Sequence, residues 1–332
     1  MTREWSQRLW AVARVAIAVA MLAGLASSGL LEWPHLRGLL RAWPLTLVAL
    51  ALLVTTFVMT SWRFCILAAP RGLHMSLARS LRLTMIGNAA NFVIPTVGSD
   101  LVRLWYTTGG KSGRRTEIGT IVLLDRVLGL LGLLLLPLVL APFFFDVVRA
   151  NPVIQWMLGV SACAALALTT GILVALSRRG LASAPIRLAL RIAPLRGYPE
   201  RILQTIHDYR SAPGALIRAV TWSVTANLCA AACIVCLQLA TLPGSAAALG
   251  GFLTSIAFVL NNVPITPGGI GFTEVAVASL YRVAGVEGGA ATMLGMRLLF
   301  LALTPVGVAL YLRDIRLLGE RATTAPHVVG QA

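Results

Sequence analysis

The chain has 332 residues, 58% of them hydrophobic and 12% charged, and several of its apolar runs exceed the roughly 20 residues that cross a bilayer. That excludes a soluble domain and predicts an all-α polytopic membrane protein. The net charge of +16, carried by arginine at every basic position except Lys111, would point to nucleic acid in a soluble protein; here it marks cytoplasmic loops, and no nucleic-acid partner is expected.

In chain order, the first apolar run covers about residues 11–31, behind Arg3, Arg8 and Arg14. It is longer than a signal-peptide core of about 7–15 residues, so an uncleaved first span is expected. Further full spans fall near 45–66, 117–141, 153–176, 217–240 and 289–311. Two hydrophobic segments, 82–108 and 247–284, are interrupted. Basic residues decide the threading. With the N-terminus inside, the second span returns to the cytoplasm at Arg63, Arg71, Arg79 and Arg82. The first interrupted segment ends at Lys111, Arg114 and Arg115, also inside, so it must enter and come back. The third span exits near Asp146 and the fourth returns to an arginine-rich cytoplasmic loop, 177–216. The fifth leads outward to Thr241–Ala246, which carries no basic residue, and the second interrupted segment ends near Arg282. The last span runs inward, because Arg313, Arg316 and Arg321 follow it. On this threading Arg37, Arg41, Arg149 and Arg282 are external, Arg103, Arg126 and Arg297 lie at membrane depth, and the other basic residues are cytoplasmic. Trp10, Trp33, Trp43, Trp62, Trp156 and Trp222 fall near span ends, where indoles favour the interface.

The expectation is therefore six full transmembrane helices plus two re-entrant helical hairpins in an inverted-topology repeat. Residues 1–145 form the first copy and 146–316 the second, with a cytoplasmic tail at 317–332. In the loop, Ile202, Ile206 and Tyr209 share one helical face, which fits an interfacial helix on headgroups and fits a solvated surface helix equally well.

The two interruptions have the same residue types in the same order. The first holds Asn88, Asn91, Pro95 and Gly98 before Asp100; the second holds Asn261, Asn262, Pro264, Pro267, Gly268, Gly269 and Gly271 before Glu274. Irregular backbone at membrane depth survives only where protein or a wet cavity covers it, and paired breaks in corresponding positions point to a transporter's substrate site. Asp100 precedes Arg126 by 26 residues and Glu274 precedes Arg297 by 23. With Arg103 and Asp125, these charges lie in apolar sequence, where each costs about 2.5–3.5 kcal/mol on insertion scales. They read either as ion pairs that lock the hairpins or as a substrate or proton path. Ser99 or Asp100 can cap the helix after the first break, and Thr273 or Glu274 opens the one after the second. Two helix N-termini at mid-membrane, with arginines beside them, suit a phosphate or carboxylate. The four asparagines offer neutral hydrogen bonds, and the carboxylates would neutralise the arginines of an empty site or take up protons.

Other chemistries find little support. His35, His74, His207 and His327 all fall in loops or the tail, no HExxH or paired Asp-rich motif is present, and the external loops are too short to hold a donor sugar, with Asp146 their one carboxylate of note. No enzyme is expected. Of five cysteines, Cys229, Cys233 and Cys236 share a helical face without acidic or histidine neighbours, so apolar packing is expected, and neither metal nor cofactor.

The run Gly87-Asn88…Asn91-Phe92-x-x-Pro95…Gly98-Ser99-Asp100-x-x-Arg103, then Leu123-Leu124-Asp125-Arg126, and the run Pro264-x-x-Pro267-Gly268-Gly269-x-Gly271-x-x-Glu274 resemble the membrane domain of the lysylphosphatidylglycerol synthase and flippase family, over about residues 40–315. The resemblance implies a bacterial inner-membrane, flippase-like protein with Asp100, Arg103, Asp125, Arg126, Glu274 and Arg297 as its functional set and membrane lipids as its partners. The soluble aminoacyl-transferase domain of full-length synthases does not follow the last span, so lysine transfer is not expected. Ser99 stands where the family often has glycine, and Thr273 and Val275 where it often has arginine and glycine, which bears on headgroup preference. Stand-alone relatives are associated with hopanoid and polyprenyl-linked glycan pathways; the alternatives are a non-transporting accessory subunit beside a lipid- or glycan-synthesis enzyme and a membrane-embedded transferase.

Overall fold

The computed structural model describes residues 33–93, 97–108, 115–177, 209–260 and 272–323. All the regular structure among them is helical. Five stretches are long and apolar enough to cross a membrane: Trp43–Arg71, Glu117–Ala150, Pro152–Leu176, Pro213–Thr241 and Gly289–Asp314. They match the five full spans expected after residue 40, and the chain is a multi-pass helical membrane protein. The span expected at 11–31 lies outside the described residues.

The helices, in order, are α1 (Trp33–Arg41), α2 (Trp43–Ala68), α3 (Leu77–Val93), α4 (Gly98–Thr108), α5 (Arg115–Leu140), α6 (Phe145–Ala150), α7 (Pro152–Leu176), α8 (Pro213–Thr241), α9 (Ala247–Leu260), α10 (Phe272–Val283) and α11 (Gly289–Thr323). Proline opens α2, α7 and α8, where its missing N–H leaves no intrahelical bond unmade. Asn151 caps α7 by accepting from the Val153 N–H at 3.1 Å.

At the centre α2 and α8 pack along each other. The interrupted segments pack on them through α3 against α2 and α9 against α8, with α4 paired to α3 and α10 to α9. Each of these four helices is shorter than a span, at 17, 11, 14 and 12 residues. The α3–α4 pair is antiparallel: Arg103 meets Thr84, Ser99 meets Gly87, and Gly98 meets Ala90. Glycine permits the approach, since a Cβ on Gly98 would fall 2.6 Å from the Ala90 carbonyl oxygen and one on Gly87 2.9 Å from the Ser99 Cα.

The contacts are reciprocal. Helix α3 packs on α11, the last helix, and α9 packs on α5; α4 packs on α5, and α10 on α11. Both α5 and α11 carry an internal proline, Pro137 and Pro305. One buried cluster, with Leu53, Phe57, Ile234, Leu237 and Phe252, fills the space around α8 and α9. A second, with Phe64, Leu67, Ile121 and Leu128, sits between α2 and α5. Large apolar side chains such as Trp43, Leu166 and Ile217 cover the outside, as a bilayer solvent requires.

Two expectations change. Helix α11 continues to Thr323, past the expected end at 311 and into the expected tail, because Leu, Arg, Glu and Ala dominate 317–322 and favour helix. Tyr209 packs against neither headgroups nor water: it is 1% exposed within the second cluster, and its hydroxyl donates to the Leu67 carbonyl at 2.5 Å. Burial raises its phenol pKa above the ordinary value. Ile202 and Ile206 lie outside the described residues.

Candidate functional site

Asp100 lies in the first turn of α4 and Glu274 in the first turn of α10, the helices that follow the two breaks. Each carboxylate pairs with an arginine of the next helix: Asp100 with Arg126 of α5, and Glu274 with Arg297 of α11 at 3.0 Å. The environments differ. Glu274 is almost wholly enclosed, with 2% of its side chain exposed, whereas 44% of the Arg126 side chain is open.

The helices that carry the two arginines also pack on the other interrupted segment. On the α3–α11 face, Gly307 lies against Met85 and Phe300 against Asn88. Arg297 lies one turn before Phe300 on α11. On the opposite face α9 packs on α5, with Val259 against the cluster that holds Val122 and Leu124; Arg126 lies just beyond Leu124 on the way along α5.

A second charged group is fully buried within the first half, with one contact to the second. Asp125 accepts from Arg63 Nε at 2.7 Å and Nη2 at 3.0 Å, and from Arg103 Nη1 at 2.8 Å. Arg63 also donates to Ser223 on α8 at 2.8 Å. Arg103 Nη2 donates to Thr84 at 3.1 Å, and Thr84 shares a hydrogen bond with Ser61 at 2.8 Å. The Arg103 guanidinium lies 4.8 Å from the centre of the Phe64 ring, and its buried Nε has no hydrogen-bond partner among the described residues. A fork from Arg63 and a third N–H from Arg103 thus converge on one carboxylate, tying α2, α4, α5 and α8 together. Two arginines share one aspartate, which leaves the cluster with one positive charge in excess.

This corrects the placement of Arg63. Sequence position near the end of its span put it in the cytoplasm, but it is 7% exposed and held inside α2, because Asp125 is 3% exposed and a buried carboxylate needs a paired cation. Its sequence signal is weak: an arginine at a span end reads first as a loop marker, and only an internal aspartate facing it identifies the pair.

The expected caps and asparagines also resolve differently. Neither Ser99 nor Asp100 caps α4; Asn91 of α3 accepts the Ser99 N–H at 2.9 Å, which frees Asp100 to face Arg126. Asn88 donates to the Phe300 carbonyl at a long 3.5 Å, so both asparagines bond within the fold. Of the expected break residues, Gly98 opens α4 and is buried. Pro95, Asn261, Asn262, Pro264, Pro267, Gly268, Gly269 and Gly271 lie outside the described residues.

The second half has a neutral counterpart of the Thr84–Arg103 tie. Tyr281 of α10 shares a hydrogen bond with Thr254 of α9 at 2.9 Å and donates to Gln238 of α8 at 3.0 Å. It sits one helical turn farther from its break than Arg103 does.

The cysteines are free; Cys229 and Cys233 lie against Met59 and Met296. Among the described residues no group of histidine, cysteine or carboxylate side chains could hold a metal.

Comparison with curated proteins and with solved structures finds no match. A family model, the lysylphosphatidylglycerol synthase TM region, matches residues 11–307. The chain belongs to this family of membrane domains, whose name ties it to lipid modification or transport.

Proposed function

We propose that the protein is a lipid translocase that moves a phosphate-bearing or otherwise charged lipid between leaflets, through a midplane site between two re-entrant hairpins of an inverted repeat. The observation that carries this reading is the doubled carboxylate–arginine pair. Each carboxylate stands at the start of the helix after a break, and each arginine belongs to a helix that also packs on the broken segment of the other half. Broken helices that meet across a repeat interface are the usual place for a transporter's site.

The reciprocal packing of α3 on α11 and α9 on α5 supports the inverted repeat. The ends of the helices support the threading. Arg82 pairs with Asp314 at 3.2 Å and Arg71 with Glu117 at 3.0 Å, at the end assigned to the cytoplasm. Asn151 donates to the Val283 carbonyl at 3.1 Å at the other. We assign the protein to a bacterial inner membrane, with both termini cytoplasmic.

Asp100 and Glu274 act as stand-in anions. When a lipid phosphate arrives, Arg126 or Arg297 exchanges the carboxylate for the phosphate oxygens, and the displaced carboxylate either takes a proton or turns to water. The Asp125 cluster holds α4 in place meanwhile, and its excess positive charge favours an anion nearby.

Reconstitution in liposomes tests this. Wild type should exchange labelled lipids of one headgroup class between leaflets, and Asp100→Asn with Glu274→Gln should abolish that exchange. Failure of wild type to move anionic, zwitterionic, cationic or polyprenyl-phosphate lipids, with or without a proton gradient, would overturn the proposal and favour an accessory role in lipid or glycan synthesis.

A further inference from the structure

A groove of about 610 Å³ lies away from both carboxylate–arginine pairs, where the end of α2, the turn that follows it and the second turn of α8 meet. Its volume is in the range of ligand sites, about 300–1,000 Å³. One wall is Trp62, stacked on Trp222 at 5.7 Å with the rings 21° apart. Ile66 and Met75 extend that wall, and His74 and Arg218 stand on the lining as its polar groups. Arg218 is one turn from Trp222 on α8, and the Gly214 carbonyl accepts its Nε–H at 3.1 Å. No carboxylate occurs among the described residues that line the groove.

We propose that this groove binds the headgroup and glycerol region of an anionic phospholipid of the cytoplasmic leaflet. The occupant follows from three properties on one surface. A paired-indole wall belongs at the level of headgroups. A guanidinium fixed at its Nε leaves its two terminal nitrogens for phosphate oxygens. Exposed apolar side chains stand on α2 and α8 at the groove, Trp62 on its lining and Ile217 next to Arg218, where acyl chains would lie. A guanidinium with no carboxylate among the described residues of the lining prefers a net-negative headgroup to a zwitterionic one.

The groove also connects to the buried charges. Cys65, on its lining, interacts with Ser80. The Ser80 hydroxyl donates to the Ser61 carbonyl at 2.9 Å, and Ser61 and Thr84 lead on to Arg103 and Asp125. A polar path therefore runs from the groove to the Asp125 cluster, as a docking site upstream of a midplane site would have. The leaflet assignment rests on the threading proposed above; occupancy of the groove does not require translocation.

Cys65 supplies the readout. Intact protein in nanodiscs would be labelled with N-ethylmaleimide and the rate at each cysteine read by peptide mapping, with Cys163, exposed on α7, as internal control. Phosphatidylglycerol discs should slow labelling of Cys65, but not of Cys163, relative to phosphatidylcholine discs. Arg218→Gln should weaken the phosphatidylglycerol effect about fivefold in lipid concentration, the share of one surface arginine. Equal Cys65 rates in the two lipids would overturn the proposal. So would slow labelling in detergent without lipid, which would mean that another part of the chain covers the groove. Leaflet exchange measured on the same samples separates this outcome from failure of the translocase reading: exchange with no protection of Cys65 removes the groove alone, and protection without exchange removes translocation alone.

Discussion

The Glu274 carboxylate receives the Nε–H of Arg297 at 3.0 Å with 2% of its own side chain exposed, whereas its counterpart pair, Asp100 with Arg126, leaves the arginine nearly half open. The same interaction therefore sits in two different dielectric settings. Neutralising the enclosed carboxylate strands a partly buried guanidinium, at a cost of about 3–5 kcal/mol; neutralising Asp100 costs less, because 44% of the Arg126 side chain lies outside the packed fold. Glu274→Gln should lower the melting temperature clearly and Asp100→Asn only slightly, while each abolishes lipid exchange. Tryptophan fluorescence on heating, beside the liposome assay, checks both halves of the expectation.

Asp125 is the most sensitive single position for the fold. Asp125→Asn leaves Arg63 and Arg103 buried without a counter-charge, and a loss of at least about 3–5 kcal/mol is expected, seen as aggregation during purification. Arg103→Met should be far milder, since Asp125 keeps both of its bonds to Arg63. Size-exclusion profiles of the two variants decide this; a well-behaved Asp125→Asn protein would contradict it.

Close helix packing predicts a contrast between glycines. A Cβ at Gly307 would collide with the Met85 carbonyl oxygen, whereas one at Gly171 meets nothing within 4 Å. Gly307→Ala should force α3 from α11 and lower the melting temperature, in line with about 1–3 kcal/mol for overpacking. Gly171→Ala should be neutral or raise stability by up to about 1 kcal/mol through helix propensity.

The spans were legible because a run of apolar residues bounded by arginine and tryptophan has one reading in lipid. The carboxylate–arginine pairs were legible because Asp100, Arg126, Glu274 and Arg297 are isolated charges at similar spacings in apolar sequence. Arg63 was not, since a charge at a span end needs no partner to explain it. The capping of α4 by Asn91 was hidden for a different reason: the asparagine acts across the break, eight residues away, where local rules favour Ser99 or Asp100. Tyr281, Thr254 and Gln238 were missed because neutral polar residues scattered through apolar helices carry no spacing signal.

That neutral tie has its own consequence. Tyr281→Phe removes the bonds to Thr254 and Gln238 and leaves their oxygens short of a partner in a buried setting, at about 1–3 kcal/mol. The loss should be local, so amide hydrogen exchange should rise in α9 and α10 while α3 and α4 keep their protection. Equal loosening of both pairs would show that the ties do not act independently.

The Asp125 cluster also sets a constraint on biogenesis. Arg63 leaves the ribosome 62 residues before Asp125 and 160 before Ser223, and Arg103 precedes Asp125 by 22. Both arginines therefore meet the insertion machinery before the carboxylate that they share in the fold has been made. They must wait at the water-facing edge of the bilayer until α5 emerges and supplies the carboxylate, and Arg63 gains its last bond only when α8 follows. The charge pattern thus dictates an order of assembly, in which α5 closes the cluster within the first half of the chain and Ser223 of α8 seals it.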